Sequence, residues 1–589
     1  MRNYKDSSSK EKSGFDIFIK VCMIIIAAGS ILAAIKCVFV GLQIDEEYAL
    51  TLSYRLLKGD RLLSEVRDPH QTSAFLLSLI EWMWIKLHGG NGYLVIWCRL
   101  VTTCIHAVIC FYLYKTICLC LDKRYSFIIA MAVFGILPKD LAVAEFSIMM
   151  SWFLMLIIII VFRMNYYYRG KTDFRSVFLS VLLGLCSVAL VLSYPTCAII
   201  VAFVLIFLAV RKKDFSPFTI PVYLLTMALV TVPYFIYLFS YMTPGEMLSY
   251  IRFTVNACNS HEAGFFEKFM DILTDDVPAF AILTAICLLI SCIVYLIYKA
   301  VRGRKKTDDI PAFVRIYYSM ILTAMIIQVI SNLTHAIKIR YGYNNLFYIY
   351  LMFLPFVLIG ALKINPKKLR LTFAFVANIL GFIAVMMLTN MNSFRTVKYL
   401  TGGLAVSLAA SVIIADKYGI KKLSRLVKVL LVIAAFVIIF HKAMYYPDQA
   451  TDSSNITDVE YRVKNGAAKG VLTEYMVGYT YDSQFGDWID LIKDGDTVLI
   501  WSESTTAYYN RDVSIGSFTT ISTPYYYKDY ILKYWEENPD KVPDVIAVNG
   551  WFGGLRVRDP DGFIDWIENE YKPDEVIIRD YYRYYIRRR

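Results

Sequence analysis

The sequence predicts a polytopic α-helical membrane protein that carries a small extracytoplasmic α/β domain at its C-terminus. Three observations carry that prediction. Of 589 residues, 57% are hydrophobic and the mean hydropathy is +0.50, beyond the range of a soluble chain. Thirteen apolar runs fall between residues 15 and 443, and a bilayer crossing needs roughly 20 apolar residues. The loops between the runs alternate in charge, and the composition changes after residue 443.

Residues 1–14 form a polar segment with Arg2, Lys5, Lys10 and Lys12. The runs follow at 15–41, 92–114, 125–138, 147–163, 177–193, 195–210, 218–240, 278–299, 312–331, 345–362, 371–389, 399–415 and 426–443, the third, fifth and sixth being short. The first is too long for a cleaved leader and lacks a small-residue cleavage site. Every even-numbered loop is basic: Lys123/Arg124, Arg163 to Arg175, Arg211 to Lys213, Arg302 to Lys306, Lys363 to Arg370 and Lys417 to Arg425. The positive-inside rule therefore puts these loops and the N-terminus in the cytoplasm. The 241–277 loop, opposite, carries six acidic residues against Arg252 and Lys268. Only the 390–398 loop, with Arg395 and Lys398, breaks the alternation. An odd number of crossings leaves residues 444–589 outside a plasma membrane. The net charge of +12 then faces anionic lipid rather than nucleic acid.

The first outer loop, 42–91, is the largest. Asp45, Glu46 and Glu47 open it, followed by Tyr48, Leu52 and Leu56 at helical spacing and Gly59 as a stop. A second helix is expected from Asp68 as N-cap and Pro69, through Trp82, Trp84 and Lys86, to Gly89. Both read as helices lying in the bilayer interface. All 12 cysteines fall between Cys22 and Cys292, so the tail is stabilised without disulfides, and none has metal-site spacing. In the tail, a polar linker from Asp448 to Asn455 precedes strand-like runs at 497–501, 545–548 and 576–578. Helical patterns at 523–538 and 559–570 separate them, predicting a small parallel sheet. Its tyrosines, Tyr525, Tyr526, Tyr527 and Tyr530 among them, read as core packing and membrane contact more than sugar stacking. The tail holds no His, GxGxxG or GxSxG, which argues against catalysis there.

Charged side chains are expected to converge at the outer membrane face. Asp45 stands at the exit of the first run, Lys139, Asp140 and Glu145 in the short loop after the third, and His335, Lys338 and Arg340 after the ninth. Moving a sugar from a lipid-linked phosphate to a hydroxyl needs a base for the acceptor proton and positive charge on the departing phosphate. A carboxylate beside the oxocarbenium-like centre helps as well. Arg99, inside the second run, either approaches a phosphate or pairs with Glu81.

The stretches QIDEEYALTLSYRLLKGD (43–60) and DPHQTSAFLLSLIEWMW (68–84), with Asp140 and Glu145 further on, resemble the GT-C superfamily of polyprenyl-phosphate-sugar-dependent glycosyltransferases. Protein O-mannosyltransferases and aminoarabinose transferases belong to that group. The resemblance covers residues 15–362 as architecture; the proline-rich step is reduced here to Asp68, Pro69 and His70, and the acidic pair is a triplet. It implies inverting transfer from a polyprenyl-phosphate sugar to a glycan, lipid or protein acceptor at the outer face. Asp45 is then the base, Glu46 its alternative, and Asp140 or Glu145 positions the acceptor or a metal. Lys139, Lys338, Arg340 and Arg99 would hold the donor phosphate, and His70 and His335 a divalent cation.

Two other readings stay open. A transporter or flippase of lipid-linked sugars would show interrupted helices repeated between halves. An inactive surface-binding protein would need only one span as an anchor.

Overall fold

The computed structural model describes residues 14–140, 142–167, 173–259, 265–302, 310–334, 342–365, 371–387, 391–447, 454–501, 504–521, 528–549 and 562–588. A helix stands at each apolar run: Gly14–Phe39, Leu94–Ile117, Lys123–Phe134, Phe146–Tyr167, Phe174–Ser193, Ala198–Val210, Thr219–Phe239, Val277–Arg302, Ala312–Thr334, Leu346–Ala361, Thr372–Met386, Thr401–Tyr418 and Lys421–Met444. Among the described residues, eight helices are long and apolar enough to cross a bilayer by themselves. A ninth crossing counts if Ser393–Tyr399 and Thr401–Tyr418, bent by 77°, act as one. Length and apolarity thus secure eight or nine of the thirteen, because Lys123–Phe134, Pro195–Val210, Leu346–Ala361 and Thr372–Met386 are short.

The bundle has two apolar cores. One gathers the first helix, Lys123–Phe134, Leu346–Ala361 and the last helix, through Ile26, Ile129, Leu351 and Ile438. The other joins Phe146–Tyr167 to the Phe174–Ser193, Ala198–Val210 and Thr372–Met386 helices, through Met150, Leu183, Val204 and Ala377. Outward, Ile24, Leu229 and Leu289 are exposed, a rim that only hydrocarbon can cover.

In the first loop the helix Ile44–Leu57 forms as expected. The Gln43 side chain accepts from the Asp45 backbone N–H at 2.7 Å, and Gly59, at φ 91°, closes the other end in the left-handed region. The second helix starts later than the Asp68–Pro69 signal indicates. A 3₁₀ turn at Gln71–Ser73 leads into Ala74–His88, which stops at Gly89 with φ 74°. Asp68 faces the tail instead: its carboxylate accepts from the Thr520 N–H at 3.0 Å, the Thr520 hydroxyl at 2.7 Å and the Thr519 hydroxyl at 2.8 Å. The tail folds back onto the loop and buries Glu47, Leu50, Tyr54 and Glu81, so Ile44–Leu57 does not lie open, whereas Ala74–His88 keeps Leu79, Trp82 and Leu87 exposed on its other side.

The tail begins with two short antiparallel pairs, β1 (Tyr445–Tyr446) with β2 (Ser454–Asn455) and β3 (Tyr461–Arg462) with β4 (Leu472–Thr473). A helix, Tyr475–Leu491, follows. The main sheet comprises β5 (Thr497–Trp501), β6 (Ser514–Ile515), β7 (Val545–Asn549), β8 (Glu575–Ile578) and β9 (Tyr582–Ile586), in the order β6-β5-β7-β9-β8. The three strands read from the sequence are β5, β7 and β8. Pairing of β5 with β6 and β7 is parallel, but β9 inserts antiparallel between β7 and β8, so the sheet is mixed. Only three residues, Arg579 to Tyr581, join β8 to β9, too few for a parallel crossover. Helices at Lys528–Glu537 and Phe563–Trp566 stand where helical patterns were read, while Tyr525, Tyr526 and Tyr527 lie outside the described residues. Tyr530 packs edge-on against Phe253 at 5.3 Å.

Candidate functional site

A three-residue turn, Pro138–Asp140, organises the end of the bundle from which the first loop emerges. Lys139 has φ 53° and Asp140 φ 59°, so two consecutive side-chain-bearing residues sit in the left-handed region, at a cost of order 1–3 kcal/mol each. Glu145 secures the far side: its carboxylate accepts from the Ser147 and Ile148 N–H groups at 3.0 Å each and from the Ser147 hydroxyl, capping Phe146–Tyr167. The turn splays its two charged residues in different directions. Lys139 Nζ lies 3.0 Å from Asp45 Oδ2, and Asp140 Oδ2 lies 2.6 Å from Lys398 Nζ.

Asp45 is the open member of the expected carboxylates, with 32% of its side chain exposed. The Lys139 ammonium beside it also stands 4.3 Å from the centre of the Phe146 ring, a cation–π contact. His70 stacks on that ring at 3.9 Å, 3° from parallel, and lies 4.8 Å from Tyr194. Burial, with Lys139 adding to it, pushes the His70 imidazole down to about 3, so the ring is neutral at physiological pH. Burial pushes the Glu145 carboxyl up to about 7, with Lys139 opposing.

Two expected site residues are spent on each other. Arg99 forks onto Glu46, Nε to Oε1 at 2.6 Å and Nη2 to Oε2 at 2.5 Å, and donates to the Gly41 carbonyl at 2.6 Å and those of Val38 and Val40 at 3.3 and 3.4 Å. Both are buried, and the pair pins the exit of the first helix to Leu94–Ile117. This corrects the expectations of Glu46 as a base, of Arg99 as a phosphate ligand and of an Arg99–Glu81 pair. Glu81 instead meets the Tyr509 hydroxyl at 2.8 Å. Glu145, 1% exposed and used as a helix cap, is a support for the turn rather than a group that meets an acceptor.

Asp140 belongs to a closed network that sequence reasoning missed in part. Lys398 Nζ also approaches His441 Nε2 at 3.2 Å, and His441 Nδ1 is 2.9 Å from both Gln328 Nε2 and Asn332 Oδ1. Burial raises the Asp140 carboxyl, but Lys398 and His441 outweigh it and hold the group well below the usual carboxylate range. The sequence signal was the basic 390–398 loop that broke the charge alternation: its Lys398 is neutralised by Asp140. Lys338, Arg340 and His335 lie outside the described residues. Among the described residues no three His, Cys, Asp or Glu side chains gather as a metal-binding set, and the cationic Lys139 faces His70.

No protein-family model matches the chain, and no curated protein matches it significantly. Among solved structures it is similar to the oligosaccharyltransferase AglB of Archaeoglobus fulgidus in complex with an inhibitory peptide and a dolichol-phosphate, at 12% identity and a TM-score of 0.39, over 91% of this chain and 70% of that one. The apo form of the Archaeoglobus fulgidus oligosaccharyltransferase gives 11% identity and a TM-score of 0.41, over 92% and 70%. Likeness at this level carries no conclusion about activity.

Proposed function

We propose that the protein is a membrane glycosyltransferase that moves a sugar from a polyprenyl-phosphate donor to a hydroxyl-bearing acceptor outside the cytoplasm, with inversion. The observation that carries the reading is the Asp45–Lys139 pair. At the outer end of the bundle it sets a 32%-exposed carboxylate beside an ammonium, while Glu46 and Glu145 are each 1% exposed and Asp140, 19% exposed, is paired with Lys398 and faces His441. In this reading Asp45 takes the proton of the acceptor hydroxyl as its oxygen attacks the anomeric carbon from the side opposite the phosphate. The bond from anomeric carbon to phosphate oxygen breaks, its electron pair leaves with the phosphate, and Lys139 stabilises that oxyanion. Donor phosphate competes with Asp45 for Lys139, so donor binding itself releases the base. The polyprenyl chain lies against the apolar rim of the bundle.

The test is transfer of radiolabelled sugar from a panel of polyprenyl-phosphate donors in membranes holding the wild type or Asp45→Asn. A loss of roughly 100-fold or more with the fold intact is expected. Transfer that survives Asp45→Asn removes this residue as the base, and a wild type that consumes no donor in the panel favours the transporter or binding readings.

A further inference from the structure

Three acids of the first loop, Glu47, Asp68 and Glu81, are buried against the tail, and two of them are met by several donors. Asp68 accepts from one N–H and two hydroxyls, and Glu47 from the N–H and the hydroxyl of Thr506, so the tail solvates each as a carboxylate. Glu81 is different. It is 0% exposed, its Oε2 lies 2.8 Å from the Tyr509 hydroxyl oxygen, and its Oε1 has no hydrogen-bond partner. No cation pairs with it among the described residues.

Counting protons assigns the charge of Glu81. The Tyr509 hydroxyl oxygen lies 2.5 Å from the Leu50 carbonyl oxygen as well as 2.8 Å from Glu81, and a hydroxyl has one proton to give. Two oxygens come that close only with a proton between them, and a backbone carbonyl supplies none. Tyr509 therefore donates to Leu50, and the proton of the other contact belongs to Glu81, which is a neutral acid donating from Oε2 to Tyr509. As a carboxylate it would hold both oxygens in an apolar core without a donor. That core contains Leu50, Tyr54, Ile80 and Cys98. The titratable groups turned toward the contact are a phenol, Tyr54 of Ile44–Leu57, and a thiol, Cys98 of Leu94–Ile117; the Glu46–Arg99 pair near Cys98 has no net charge. Burial accordingly drives the Glu81 carboxyl well above the usual carboxylate range, with the Tyr509 hydrogen bond opposing.

We propose that Glu81, Tyr509 and Leu50 form a proton-operated latch: the tail closes on the first loop with uptake of one proton by Glu81, and loss of that proton opens the junction. The three residues stand on three elements, Ala74–His88, the tail turn Thr505–Asn510 and the middle of Ile44–Leu57, so this one proton holds both loop helices to the tail. Away from the tail, Glu81 titrates as an ordinary carboxyl near 4.5. Because the docked value is raised, docking is strongest below that pH. It weakens about tenfold per pH unit above it, until the docked acid itself ionises. The latch stands whether or not the protein transfers a sugar.

Hydrogen exchange of the full-length protein in detergent, followed by mass spectrometry from pH 6 to 9 and corrected for the intrinsic base catalysis of exchange, tests the coupling. Protection of Ile44–Leu57 and Thr505–Asn510 is expected to fall about tenfold per pH unit in the wild type. In Glu81→Gln, whose amide donates to Tyr509 as the neutral acid does, it should stay flat. Infrared spectra give the protonation state directly: at pH 8 the wild type should show the carbonyl band of a protonated carboxyl, and Glu81→Gln should lack it. Flat wild-type protection, the same slope in Glu81→Gln, or a band that survives the substitution would each overturn the latch. Slope and band are both read on the wild type, so a Glu81→Gln chain that fails to fold leaves a flat profile or a missing band sufficient to overturn it.

Discussion

The turn at Pro138–Asp140 has two corners with the same charges and opposite surroundings. At one, Asp45 meets the single cation Lys139 and stays 32% exposed. At the other, Asp140 is 19% exposed and meets Lys398 and His441, and His441 is itself held between Gln328 and Asn332. The number of partners separates them, not the charge. A carboxylate that takes a substrate proton must keep an unshared lone pair and a path for the hydroxyl. One that ties helices together is better saturated. Acidic residues at a membrane surface are therefore not interchangeable candidates, even one peptide bond from the same strained turn.

The contrast can be broken at either corner. The largest effect is expected at the closed one. Asp140→Asn leaves the Lys398 ammonium nearly buried without its acid, and breaking such a pair costs about 3–5 kcal/mol. Thermal unfolding in detergent should show a clear drop in midpoint; an unchanged midpoint would mean that the network is not structural. Next comes the acid that supports the turn. Glu145 is raised to about 7 from an ordinary value of 4.5, so the fold favours its neutral form. Its contribution to stability is complete below about pH 4.5, declines as pH rises through 7 and is flat above, for a total of order 3 kcal/mol. Chemical denaturation across pH 4–9 tests the sign, and Glu145→Gln should abolish that part of the pH dependence.

The open corner should respond in activity rather than in stability. Asp45→Asn removes a pair that keeps solvent contact, Asp45 being 32% and Lys139 13% exposed, a loss of about 1 kcal/mol, so the unfolding midpoint should move far less than for Asp140→Asn while transfer falls roughly 100-fold. Destabilisation equal to that of Asp140→Asn would erase the distinction between the corners. The smallest effect is expected where the tail docks. Thr506 donates its hydroxyl to Glu47 Oε2 at 2.7 Å and its N–H to the same oxygen at 3.0 Å. Thr506→Val keeps only the second bond, a loss of about 1 kcal/mol that faster hydrogen exchange in β5 should report.

Much of this was legible in the sequence because it is local. The Ile44–Leu57 helix shows its acidic opening, its spacing and its stop within fifteen residues, from Asp45 to Gly59. β5 and β7 show as short apolar runs because both are buried in a sheet. Asp45 and Lys139 were picked out because each stands at the end of an apolar run. The rest depends on distant partners. Glu46 looked like a site residue until Arg99, 53 positions away, claimed it. Asp140 is decided by Lys398, 258 positions on. The start of the second loop helix was misplaced because Asp68 resembles a cap, whereas its carboxylate belongs to Thr519 and Thr520 of the tail, more than 450 residues later.

That last contact sets the order in which the fold can be completed. Glu47, Asp68 and Glu81 are all buried in the finished fold, and the hydroxyls that satisfy them, on Thr506, Thr519, Thr520 and Tyr509, lie more than 400 positions further along the chain. Until that segment has been made and docked, these three acids lack those partners. The first loop, made before most of the bundle, is therefore completed after it.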